Sequence, residues 1–204
     1  MDNVLIVLYY PADGFERLCR RRPYRQACVL YVLVAVVSVL SVLFTHYPLA
    51  SVRPEETELF FEVCKILIPL MTFVVVNYGL STLNDGEARF GEIFIGTAFS
   101  MLPYILLMPV ATLLSRILSG NDSGLYQAVI AFIWIWVFYL FYRQVNVLNN
   151  YTFPQTVGSI VLTVFSMLIV WALLVLLYLL SRNLWYFFQN VWMEMNMLIS
   201  SKGG

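Results

Sequence analysis

The sequence predicts an all-α, polytopic membrane protein: five transmembrane helices with an interfacial helix at each end. Three observations carry that prediction. Of 204 residues, 61% are hydrophobic and only 12% charged, against roughly 45–50% and about 25% in an ordinary soluble domain. The apolar residues gather in five runs close to the ~20 residues that cross a bilayer. No charge falls in the middle of any run, so the costly buried ions that betray ion paths or proton relays are missing.

The first stretch, residues 3–10 (NVLIVLYY), is apolar but too short to span. Pro11, Ala12, Asp13 and Gly14 follow as a turn, or as a helix start with Pro11 near its first position. Phe15, Leu18 and Arg22 then fall on one helical side. Arg17, Arg20, Arg21, Arg22 and Arg25 give the segment a basic flank. Residues 1–26 therefore read as a cytoplasmic interfacial segment whose arginines bind lipid phosphates. Charges that merely set topology are the equal alternative.

The first span is residues 27–47. It exceeds the ~7–15-residue core of a cleaved signal, and its basic flank lies well inside the chain, so it reads as retained. An acidic loop with Glu55, Glu56, Glu58 and Glu62 leads to a second span at 63–83. Lys65 lies close enough to its end to snorkel, and Asn77 lies deeper, where an amide needs a partner. The turn 84–92 precedes a third span at 93–118. There Gly96 and Ser100 form a small-xxx-small pair for close helix approach, and Pro103 and Pro109 each remove a backbone donor and kink the helix. The fourth span is 125–142, with a polar turn at 143–156, and the fifth is 157–180. Together 27–180 form the transmembrane domain. Residues 181–204, with Trp185 and Trp192, read as an amphipathic tail on the far surface.

Orientation follows from basic residues near span ends. A cytoplasmic N-terminus puts the five N-terminal arginines with Arg89 and Arg143 inside, and Arg53, Lys65, Arg116, Arg182 and Lys202 outside. The C-terminus is then extracytoplasmic.

Little chemistry is encoded. A formal net charge of zero gives no field for nucleic acid. Three cysteines, Cys19, Cys28 and Cys64, form neither a disulfide framework nor a zinc pattern. The sole histidine, His46, stands at a span end without a nucleophile motif. The run EETELFFE lies in a loop and lacks the arginine that paired-glutamate intramembrane proteases require. No catalytic residue, metal or cofactor is expected.

What stands out is the stretch 77–109, and above all the turn from Asn84 to Glu92. Gly86 and Gly91 allow it to be tight, and Asp85, Glu87, Arg89 and Glu92 make it a candidate docking surface. The "P-x-D-G-F" element (Pro11, Asp13, Gly14, Phe15) belongs with it. So does the central "N-[WY]-x-L-x-T-L-x-D-G-E … P-Y" pattern: Asn77, Tyr78, Leu80, Thr82, Leu83, Asp85, Gly86, Glu87, Pro103 and Tyr104. With Tyr151 and Thr152 these resemble the Yip (Ypt-interacting protein) domain family, in the form of its Gram-positive bacterial branch. Ala88 and Asn150 stand where the family pattern has a glycine and an acidic residue.

The resemblance implies five membrane helices, a cytoplasmic N-terminus in the bacterial plasma membrane and no catalytic activity. Bacterial relatives of this form are commonly encoded beside carbohydrate ABC importers, which implies an accessory scaffold subunit bound to other membrane proteins such as the importer permeases. The partner-binding candidates are Asn77, Tyr78, Asp85, Gly86, Glu87, Arg89, Gly96, Ser100, Pro103, Pro109, Trp185 and Trp192. Two other readings stay open, a small stand-alone transporter or channel and a lipid-organising trafficking protein.

Overall fold

The computed structural model describes residues 2–45, 58–84, 86–116 and 123–202, with side chains for 4–45, 58–84, 86–116 and 124–193. Among them all regular structure is helical: α1 (Asp2–Tyr9), α2 (Pro11–Arg21), α3 (Tyr24–Phe44), α4 (Leu59–Leu83), α5 (Phe90–Ser100), α6 (Leu102–Ser115), α7 (Ser123–Asn149) and α8 (Phe153–Lys202). Five helical segments are long and apolar enough to cross a membrane, the third being α5 and α6 together. The protein is an all-α integral membrane protein. Two compact units divide the chain, Met1–Thr163 and Val164–Gly204.

In the first unit α1 and α2 are parted by Tyr10, whose backbone leaves the helical region before Pro11 restarts the helix. Gly14 is required there: a Cβ would stand 2.7 Å from the Val7 Cα. Arg22 ends α2 in the left-handed conformation, with its N–H donated to the Leu18 carbonyl, and Pro23 prevents the helix from resuming. Phe15 and Leu18 are buried, and α2 packs on α7 and α5. The apolar side of this segment thus rests on protein, while its arginines stay exposed.

α3 buries Ala27, Leu30, Tyr31, Val34, Val37, Ser38 and Ser41, a stripe at helical spacing. Its opposite side is apolar as well, with Val29, Val32, Val36 and Leu40 exposed. A helix apolar all round, with one side against protein, has its other side against lipid. The third span is the centre of the bundle: 61% of it is buried, against 39% for the first span and 22% for the second and fourth. α5 touches α3, α4 and α7, and α6 touches α3 and α7. At the far end of the bundle Arg116 stacks over the Phe44 ring and donates to the Phe44 carbonyl (3.4 Å).

Several boundaries differ from expectation, each for a physical reason. The fourth span continues to Asn149, because the amides of the supposed polar turn are buried among other helices. The third span breaks once, at Met101, with Pro103 opening α6, while Pro109 lies within α6. The second span starts at Leu59, its first turn holding Glu62 and its next Lys65, which pair at 3.5 Å. The first starts at Tyr24. Asp85, His46, Arg53 and the end of the third span at Leu118 lie outside the described residues.

α8 begins in the first unit, where Thr156, Ser159 and Thr163 are buried at i, i+3 and i+7, one face of the helix. In the second unit the helix runs on past Ser181 and Arg182 to Lys202. Every residue from 171 to 193 is exposed.

Candidate functional site

The polar groups of the first unit gather into a joint at one end of the bundle and a ladder leading inward from it. The joint is made by the end of α2, the turn 84–92 and the short turn 150–152. After α4 the Gly86 N–H bonds to the Ser81 carbonyl (2.8 Å), closing the chain tightly over the helix end. Gly86 is crowded by the Ser81 and Asn149 side chains and by the Tyr151 hydroxyl, which would stand 2.7 Å from any Cβ. No larger residue fits without moving them.

Asn150 takes the left-handed conformation (φ 52°), which asparagine tolerates better than most residues. It donates through Nδ2 to Glu87 Oε2 at 2.7 Å. The Tyr151 hydroxyl donates to the Asn84 carbonyl at 3.1 Å. Asn146 braces the second turn, donating to the Tyr151 carbonyl (2.6 Å) and to Thr156 (3.1 Å). Gln155 accepts from the Thr152 N–H at 2.9 Å, satisfying a donor that the start of α8 leaves free.

Glu92 ties in α2. One carboxylate oxygen accepts the Arg89 N–H (3.1 Å), and the other meets the Arg22 guanidinium at 3.0 Å. A carboxylate in the first turn of α5 also opposes the positive end of that helix. Burial and the neighbouring Glu92 carboxylate push the Cys19 thiol on α2 up to about 11, so it carries little of the nucleophilic thiolate at neutral pH.

The ladder starts with the Ser81 hydroxyl, which donates to Asn149 Oδ1, while Asn149 Nδ2 donates to the Val145 carbonyl (3.1 Å). Asn77 donates across to Thr163 of α8 at 3.3 Å. Gln144, 1% exposed, is the hub between α7 and α5. Its Nε2 donates to the Ile93 carbonyl and to Thr97, both at 3.1 Å, and its Oε1 accepts from Ser100 at 3.0 Å. Each amide is engaged by the chain's own groups, as burial away from water demands.

The sequence-selected residues separate into distinct places. Gly86, Glu87 and Arg89 stand together in the joint, with Glu87 and Arg89 exposed. Tyr78, half-exposed, meets the Phe90 ring edge-on at 5.6 Å. Asn77, Gly96, Ser100 and Pro103 are buried, and at Gly96 a Cβ would stand 2.8 Å from Gln144 Cγ. The close approach expected of Gly96 and Ser100 is made with α7 of the same chain. Pro109 is exposed on α6, and Trp185 and Trp192 on α8. Arg17, Arg20, Arg21, Arg22 and Arg25 are exposed; Arg20 pairs with Glu16 at 2.7 Å.

Sequence reasoning missed Gln144, Asn149 and Ser81. The available signal was their position: two amides within a helix length of a continuous apolar run, where a polar group needs a partner on a neighbouring helix.

Residues 5–176 match the Yip1 domain. The chain belongs to the Yip1 domain family. The match takes in both turns of the joint and the whole inward ladder, so these are parts of a Yip1 domain. No curated protein and no solved structure matches the chain.

Proposed function

We propose that this Yip1 domain protein is a non-enzymatic membrane scaffold that assembles with other integral membrane proteins. The observation that carries the reading is the second unit. Its helix, 164–202, extends about 58 Å at 1.5 Å per residue, nearly twice the ~30 Å hydrocarbon core. Lipid covers an apolar segment of one membrane thickness. Beyond Arg182 the helix still exposes Trp185, Tyr186, Phe187, Phe188 and Trp192, a run of large rings of the kind that anchors protein interfaces. The first unit supports the same reading from the other side: its buried polar groups are spent on holding helices together. Glu87 and Arg89 of the joint offer a charged contact at the membrane boundary.

Permeases of a carbohydrate ABC importer are the first partners to test, with the N-terminus cytoplasmic in a bacterial plasma membrane. The full chain, tagged at its C-terminus, is captured from crosslinked native membranes. Co-recovery of a defined integral membrane protein, reduced at least about tenfold by Trp185→Ala with Trp192→Ala, is expected, since two anchor residues carry about 1 kcal/mol or more each. Recovery of the protein alone, crosslinked or not, contradicts the proposal.

A further inference from the structure

We propose that α3 carries a binding site for one anionic phospholipid, with Arg25 holding the phosphate and an acyl chain lying along the helix. Arg25 stands in the first turn of α3. Val29, Val32, Val36 and Leu40 follow at i+4, i+7, i+11 and i+15, which is the same helical face. They are 57%, 62%, 46% and 44% exposed, so that face is uncovered along its length. In a membrane protein such a ridge lies against lipid. Arg25 is the charge at its head, placed where the ridge gives way to the headgroup layer.

Towards the Leu40 end of the ridge, away from Arg25, α3 and α4 form an open groove of about 350 Å³. Val32, Val36 and Leu40 form one wall, Val63 and Leu67 the other, and its surface is almost wholly apolar. It accepts a hydrocarbon chain and offers nothing to a polar ligand.

The charge is free to act. Arg20 is engaged by Glu16 and Arg22 by Glu92. Arg17, Arg21 and Arg25 have no ion pair among the described residues. An acidic protein would satisfy the arginines, but it would leave the apolar ridge that continues from Arg25 without a role. The continuity of charge and ridge selects a lipid.

The purified full chain is equilibrated in mild detergent with equal amounts of phosphatidylglycerol and phosphatidylcholine, and retained lipid is counted by native mass spectrometry. Phosphatidylglycerol is expected to be retained in preference. Arg25→Gln lowers that preference about fivefold, the effect of one basic residue near anionic lipid. Arg25→Lys keeps the charge and most of the preference, which also reports that the site folds, and Arg17→Gln, off the ridge, leaves it unchanged. Equal retention of the two lipids by the unaltered chain overturns the proposal. So does an Arg17→Gln loss as large as that of Arg25→Gln, which is diffuse charge, or an acidic protein found covering the arginines in place of lipid.

Discussion

Gln144 illustrates how a single polar side chain orders a membrane bundle. Its amide serves Ile93, Thr97 and Ser100 on α5, and its stem lies where Gly96 has no side chain. The absence of one side chain and the presence of the other are two halves of one contact. Gly96→Ala forces a methyl group into the Gln144 stem and costs about 1–3 kcal/mol, the range for overpacking. Gln144→Ala removes hydrogen bonds worth on average ~0.6 kcal/mol each within a membrane, and so about 1–2 kcal/mol together. The double variant is less destabilised than the two costs summed, because removing the stem makes room for the methyl group. Denaturation of the detergent-solubilised protein measures all three, and simple additivity contradicts the coupling. Only the Gly96 half of this contact was read from the sequence, where Gln144 stands beside Arg143 and close to Asn146, Asn149 and Asn150. A cluster of polar residues looks like a loop until neighbouring helices supply its partners.

At the scale of elements, hydropathy located every span, since bilayer thickness sets the length of an apolar run whatever the packing. The edges were less legible. α7 gains two helical turns from amides buried in the interior, and α3 starts early because Pro23 decides where α2 must stop. The same holds for α2: its apolar residues were visible, but whether Phe15 met lipid or protein depended on where α7 lies. The turn 84–92 was singled out by its glycines, yet its partner turn at 150–152 was recognised only as part of a family pattern. Their linkage makes a prediction. Gly86→Ala displaces Ser81, Asn149 and the Tyr151 hydroxyl at once, so amide exchange should rise in both turns together. Faster exchange confined to residues 84–92 contradicts the joint described here.

At the scale of the whole molecule, the two units of the chain divide the labour. The first unit uses its polar groups for internal cohesion, and the largely apolar helix of the second is exposed from residue 171 to residue 193. Five spans predict that the two ends of the chain lie on opposite sides of the bilayer. The positive charge near the first span predicts an N-terminal side in the cytoplasm. The most direct test replaces Cys19, Cys28 and Cys64 by serine and introduces a single reporter, Asn3→Cys in one variant and Lys202→Cys in another. In intact cells a membrane-impermeant maleimide should label Lys202→Cys and spare Asn3→Cys until the membrane is opened. Labelling of both in intact cells, or of neither, contradicts the five-span arrangement on which everything else depends.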